Sequence, residues 1–381
     1  MIYLDNNATT KPAPEVFDAM RAALDASFGN PSSANSLGIE ARKMVDEARL
    51  SVAGLIGAAS ASEIVFTSCG TESDNWAILG ALEATGKNHV ITTTVEHDAI
   101  RKLCQKLGKQ GVRISWVEVD EEGSLDLDAL RSELCDDTAI VSTMLANNET
   151  GILFPINEIG EIVKAGSNAL FHVDGVNAVG KIPVDLKKSS VDLLSLSAHK
   201  FHGPKGIGVL YVRDGVEIAP MFTGGSQERG LRPGTEAVHQ IAGIGAAAEF
   251  VRDLTPMQTV EALRDRLETE ILQNIPNAYV TGTADPAKRL PNTSNICFEN
   301  TNGEMILHRL NELEIYVSTG SACNAHGHTA SAVLQAMNVP YSRTMGAIRF
   351  SLGRFNQVSD VERVVEVLPT IVDELRSISN P

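Results

Sequence analysis

Lys200 lies in the stretch DLLSLSAHKFHGPKGIGVLYV, Asp192 to Val212. An apolar run, Leu193 to Leu196, ends in Ser197-Ala198-His199-Lys200. A turn containing Gly203, Pro204, Lys205 and Gly206 leads into a second apolar run, Ile207 to Val212. Two short β-type runs joined by a turn predict a lone lysine between buried strands. Desolvating an ammonium is costly, so buried lysines are rare and their pKa falls. A lowered pKa suits the amine to Schiff-base formation with a carbonyl. Ser197 and His199 beside it offer a hydroxyl and an imidazole that can hold a phosphate. A surface lysine paired with an acid is the competing reading of this stretch.

A second group of residues supports a phosphate site. The run Ile64-Val65-Phe66 reads as a strand, followed by Thr67-Ser68-Cys69-Gly70-Thr71-Glu72-Ser73 and then a helical pattern through Trp76, Leu79 and Leu82. Strand, small-residue loop and helix N-terminus in that order make a phosphate cradle. Backbone N–H groups, the helix dipole and the Thr71 hydroxyl would all face the anion. An ordinary N-cap explains the same residues when they are taken alone. The stretch Ser318–Thr329 (STGSACNAHGHT) is small and polar, cannot pack a core, and should be a mobile loop. Its Cys323 should therefore be exposed, either as a reactive thiol or as a spectator. Cys323, His326 and His328 are too close in sequence, and lack a fourth ligand, to form a tetrahedral zinc site, so no metal is expected.

The elements that would position these groups alternate between β and α. Strands are expected at His89–Thr93, Arg113–Val119, Ala139–Leu145 and Ala169–Val173, with helices between them. Each chemically useful residue follows a strand: Thr71, His97, Asn148, Asp174 and Lys200. In an open α/β sheet the strand ends form the ligand crevice. Long helices from about Glu236 to Asp253 and from Pro256 to Ile275 suggest that the sheet domain closes near residue 255. A smaller α+β domain should follow.

The bulk composition narrows the function classes. The 381 residues carry a formal charge of −16, with 43% hydrophobic and 21% charged residues. That is ordinary globular composition, long enough for two domains. An acidic surface argues against nucleic acid or an anionic membrane as the main partner. The five cysteines (Cys69, Cys104, Cys135, Cys297 and Cys323) are odd in number and lack CxxC spacing. Neither a disulfide framework nor a structural zinc is expected, and a reducing cytoplasm is the default location. The start MIYLDNNATT has neither a basic n-region nor an apolar h-region, so no secretory signal is expected.

Nine blocks recur in the order seen in one family: LDNNATT at 4–10, TSCGTESDN at 67–75, VEHDA at 95–99, NNETG at 147–151, HVDGVNAVGK at 172–181, the lysine stretch, ERGLRPGT at 228–235, STGSACNAHG at 318–327 and IRFSLGRF at 348–355. Together they resemble the cysteine desulfurases of the nitrogen-fixation and iron–sulfur-cluster type, group I of the class V aminotransferases. The resemblance covers nearly the whole chain. It implies the type I aminotransferase fold that binds pyridoxal 5'-phosphate (PLP). That fold has a large α/β domain with a mostly parallel seven-stranded sheet, expected at residues 13–255. A smaller domain is expected from residues 1–12 and 256–381. It also implies a cytoplasmic homodimer that turns L-cysteine into L-alanine and passes the sulfur to an iron–sulfur scaffold or another acceptor protein.

The family's roles carry over by position, as implications of the resemblance. Lys200 would hold PLP as a Schiff base and move the substrate's Cα proton. Asp174 would pair with the ring nitrogen, His97 would stack on the ring and act as an acid/base, and Asn148 would lie near the ring oxygen and the substrate. Gly70, Thr71, Ser197 and His199 would bind the phosphate, with Thr235 reaching it from the other subunit. Arg349 would clamp the substrate carboxylate, and Cys323 would accept the sulfur as a persulfide. Three positions and one stretch depart from the family, the stretch being NAHGHTA after Cys323 in place of the commoner TSGS-type continuation. Asn177 stands where a glutamine usually contacts the cofactor, and Asn35 and Ser226 each replace a histidine. Selenocysteine lyase, or another PLP-dependent β-elimination on this fold, is the alternative activity. A non-enzymatic assembly subunit is a third reading.

Overall fold

The computed structural model describes residues 1–319 and 330–379. The first strand, β1 (Ile2–Tyr3), is short. The others in the first half are β2 (Ile64–Thr67), β3 (His89–Thr93), β4 (Arg113–Val117), β5 (Thr138–Met144), β6 (Leu170–Asp174), β7 (Leu193–Ser197) and β8 (Gly208–Val212). Strands β2 to β8 form one seven-stranded sheet in the order β4-β3-β5-β6-β7-β8-β2. The pairings from β4 to β7 are parallel, and β8 runs antiparallel to both of its neighbours. Strand β2, reversed twice, therefore points the same way as β7. All the strands that carry candidate residues at their ends thus open toward one side.

The sheet is buried on both faces, which explains why its strands read as apolar runs without alternation. Strands β5, β7 and β8 are buried at every position. The helices on these faces include α1 (Pro14–Asp25), α2 (Ser36–Leu55), α3 (Gly70–Thr85) and α4 (Asp98–Lys109). Helix α4 has a clear apolar stripe, with Ile100, Leu103, Cys104 and Leu107 turned inward. Helix α2 begins at Asn35, whose side-chain oxygen accepts from the Gly38 N–H at 3.0 Å. The asparagine that replaces a family histidine is thus a helix cap.

A second core lies beyond the large sheet. Strands β9 (Ala278–Val280), β10 (Thr293–Phe298) and β12 (Ala347–Ser351) form an antiparallel sheet with β10 in the middle, and β11 (Ile315–Tyr316) pairs in parallel with β1. Leu4 packs with Leu267, Ile296, Phe298 and Phe350 in this core. The chain's first residues therefore belong structurally with its last third. Buried Arg264, in the helix Thr255–Asn274, ties that helix down through the carbonyl of Leu290 at 2.7 Å.

The helix Val238–Arg252 lies against α1 and α2 and is buried mainly through small residues. A Cβ placed on Gly245 would sit 2.7 Å from Ala48 Cα, and one on Gly243 would sit 2.9 Å from Met20 Cγ. Backbone cannot yield as a flexible side-chain tip can. Gly245→Val should therefore lower stability by roughly 1–3 kcal/mol, read as a reduced urea midpoint with an unchanged m-value.

Candidate active site

The strand ends converge on a cavity of about 220 Å³. Gly70, Thr71, His97, Asp174, Asn177, Ser197, His199 and Lys200 line it, together with Cys69, Asp74 and Val176. Eight residues singled out from the sequence therefore meet in one place. Asn148, Thr235 and Arg349 do not line this cavity. Thr235 is exposed on the loop that precedes the helix Val238–Arg252. Cys323, His326 and His328 lie outside the described residues.

One end of the cavity is built for an anion. Helix α3 starts at Gly70, and no side chain caps it. A Cβ on Gly70 would come within 2.8 Å of Val176 Cγ2 and 3.5 Å of Ser197 Cβ, so only glycine leaves the cradle open. Thr71 and Ser197 add hydroxyls beside it. His199 Nδ1 contacts Thr9 Oγ1 at 3.2 Å, and burial, with the nearby Lys200 and Lys205 ammoniums, pushes its pKa down to about 4. It faces the cavity as a neutral imidazole.

The other end is acidic and dry. Asp174 ends β6, is 7% exposed, and accepts the Val176 N–H at 2.9 Å. Burial raises its pKa, while His97 and Lys200 pull it down. Asp74, one helical turn beyond Gly70, is fully enclosed, and its Oδ1 has no partner among the described residues. Burial is the main force holding its pKa well up, with Asp174 adding repulsion. His172 lies 3.7 Å away, but burial drives its pKa to about 3, so it offers no charge. Two buried carboxyl groups side by side make this end of the cavity suited to a ligand that brings a proton on a ring nitrogen. Asn177 Oδ1, also buried and without a hydrogen-bond partner among the described residues, is a further polar atom that a ligand could meet. The donor set therefore fits PLP: an anion cradle, an amine, a buried carboxylate and an imidazole.

His97 caps α4, its Nδ1 accepting from the Ala99 N–H at 3.2 Å. That bond puts the proton of the neutral ring on Nε2. Burial lowers the pKa of His97, and Lys200 acts in the same direction.

Lys200 follows β7 in a single 3-10 turn and is only partly buried, contrary to the expectation of a fully enclosed amine. The turn lifts it out of the strand toward the open side of the sheet. Its Nζ donates to the Asn7 carbonyl at 2.6 Å. The Asn7 side chain accepts from Lys181 Nζ at 2.8 Å and from Asn292 Nδ2 at 3.0 Å. It also donates to Asn148 O and Thr293 Oγ1. The LDNNATT turn was legible as a cluster of hydrogen bonders, but no local signal assigns its residues to partners hundreds of positions away. Asp74 had such a signal, because it lies on the same helical face as Gly70 and Thr71.

Arg349, on β12, donates from Nη1 to the Asn148 carbonyl at 2.9 Å and from Nη2 to Asp5 Oδ1 at 2.7 Å. Its Nε is buried without a partner among the described residues. Asn148, which follows β5, thus connects the large sheet to this arginine.

Glu96, next to His97, accepts from Thr93 Oγ1 at 2.7 Å and the Met144 N–H at 3.1 Å. Burial raises its pKa from 4.5 to about 8. Between those values the folded chain holds a proton that the unfolded chain releases, so this group makes stability fall as pH rises. The slope is at most about 1.4 kcal/mol per pH unit for one proton. Glu96→Gln should flatten the loss of stability between pH 5 and 8, measured as urea midpoints across that range.

The family model for aminotransferase class-V matches residues 2–364. The chain is 50% identical to the cysteine desulfurase of Trichormus azollae over 382 aligned positions, covering 100% of this chain and 94% of the relative. It is 48% identical to cysteine desulfurase NifS of Azotobacter vinelandii, covering 99% of this chain and 94% of that one. A solved structure described as a NifS-like protein superposes with a TM-score of 0.91 at 39% identity, covering 98% of this chain and 100% of that chain. A cavity at the strand ends lined by an anion cradle, an amine and buried carboxyl groups, and full-length likeness of this order, lead to one assignment: the chain belongs to the class-V aminotransferases, among the cysteine desulfurases of the NifS type.

Proposed function

We propose that this chain is a PLP-dependent cysteine desulfurase that converts L-cysteine to L-alanine and carries the released sulfur on Cys323. The convergence of Lys200, Asp174, His97 and the Gly70–Thr71 cradle on one cavity carries this reading. Gly70, Thr71, Ser197 and His199 would hold the phosphate, Asp174 the ring nitrogen, and Asn177 a further polar atom of the ring. Thr235, exposed and outside its own chain's cavity, suits a contact made across a dimer. When bound, PLP supplies an electron sink for the electron pair released at the substrate's Cα.

The protein's own groups then have defined tasks. Lys200 would anchor the cofactor, and its amine would take the substrate's Cα proton as a general base. The Asn7 carbonyl orients its amine. Asp174 keeps a compensating negative charge in a dry setting, where such a charge acts most strongly. His97, with its proton on Nε2, lines the cavity and would give or take a proton there. Arg349 presents a guanidinium to the substrate carboxylate. Cys323 is the sulfur acceptor, and its thiolate is the reactive form.

An acceptor protein, such as an iron–sulfur scaffold, then takes the sulfur. No helix among the described residues is long and apolar enough to cross a membrane. A cytoplasmic homodimer is part of the same reading. Exposed Phe17, Leu24, Leu37, Ile39 and Leu50 on α1 and α2 support a dimer face. We take residues 13–255 as the cofactor domain and 1–12 with 256–381 as the smaller one, supported by the separate second core.

With L-cysteine and a reducing thiol, the enzyme should release alanine and sulfide in equal amounts. Cys323→Ala should lose that activity while keeping the visible band of bound PLP. Lys200→Ala should lose the band as well, with turnover down roughly 10²–10⁴-fold. Full activity in Cys323→Ala would overturn the proposal in favour of a β-elimination of the selenocysteine lyase kind. A purified protein that binds no PLP would point to an assembly subunit.

A further inference from the structure

Arg349 is held from two sides before any substrate arrives. Asp5 lies opposite Ser351, two residues beyond Arg349 on the same strand. Backbone bonds fix the crossing: Ser351 N–H donates to Leu4 O at 2.7 Å, and Asn6 N–H donates to Ser351 O at 3.0 Å. The Ser351 hydroxyl accepts from the Asn7 N–H at 3.0 Å. Asp5 therefore cannot drift away from the arginine. Its Oδ1 takes Nη2 at 2.7 Å, with side chains 7% and 20% exposed for Arg349 and Asp5. The Asn148 carbonyl takes Nη1. The Nε–H is left buried and without a hydrogen-bond partner among the described residues. A buried, unanswered donor is costly unless a ligand meets it.

We infer that Asp5 is a positioning residue for substrate binding, fixing Arg349 so that its Nε edge meets the carboxylate of an α-amino acid. This rests on the reading of Arg349 as the carboxylate clamp. A guanidinium free to rotate would have to be ordered by each substrate molecule; one pinned by Asp5 and Asn148 is ordered already. The charge of Asp5 also offsets part of the buried guanidinium's desolvation. Asp5 and the Asn148 carbonyl each hold one of the two amino nitrogens, Nη2 and Nη1, and neither bonds Nε.

The test uses the PLP-loaded enzyme and the variants Asp5→Ala, Asp5→Asn and Arg349→Met. Two readouts are taken: steady-state kinetics with L-cysteine, and the dissociation constant of L-alanine from its change in the PLP absorption band. Asp5→Ala should raise KM and the alanine dissociation constant about tenfold or more, with kcat changed little. Asp5→Asn keeps an acceptor oxygen in the same place and should recover most of both. If Asp5→Ala does not accumulate as folded protein, Asp5→Ser, too short to reach Nη2, carries the same expectation. Unchanged constants in Asp5→Ala, with both raised in Arg349→Met, would overturn the role of Asp5 alone. Unchanged constants in Arg349→Met would overturn the reading of the clamp and the inference with it.

Discussion

The bond from Lys200 Nζ to the carbonyl of Asn7, 2.6 Å long, ties the end of β7 to the first turn of the chain. It joins residues 193 positions apart. Asn7 can serve as that acceptor only because its own side chain is fixed by Lys181, Asn292 and Thr293. Those partners come from the loop after β6 and from the second core. The amine of Lys200 is thus oriented by both cores at once, and loosening either would loosen the amine.

The second constraint is electrostatic. Asp74, Glu96 and Asp174 are buried together, and burial pushes all three toward the protonated form. His172, the imidazole nearest Asp74, is held neutral. A folded domain tolerates this arrangement at a cost in stability, as functional sites often do. The cost has a use: a ring that brings a protonated nitrogen gains a partner with little water to displace. The phosphate end is complementary, with backbone N–H groups, hydroxyls and a neutral imidazole. The cavity is polarised along its length, an anion cradle at one end and buried carboxyl groups at the other.

Much of this was legible before folding was considered. Apolar runs marked the buried strands of the large sheet, and small or polar residues after each run marked their ends. Gly70 and Thr71 announced an anion cradle, and Lys200 an unusual amine. Element boundaries moved by one or two residues, as at β4 and β5, because local pattern does not say where hydrogen bonding stops. The burial of Lys200 was overstated, because a strand-like run predicts enclosure and the 3-10 turn at Ala198–Lys200 lifts the residue out. Asp74 could have been found from helical spacing. Asp5, Asn7 and Lys181 could not, since their partners are distant in the chain.

The sequence by itself determined which chemical groups were available, which strand each one follows, and, through nine ordered blocks, the family. Those depend on side-chain identity and on the local periodicity of burial, both written along the chain. Tertiary structure decided which groups share a cavity, that Asp174 and Asp74 are buried there together, and that Arg349 is pinned between Asp5 and Asn148. These follow from the strand order β4-β3-β5-β6-β7-β8-β2 and from the docking of residues 2–7 against β11 and β12. Desolvation and long-range hydrogen bonding act on neighbours in space, and no local run of residues encodes who those neighbours will be.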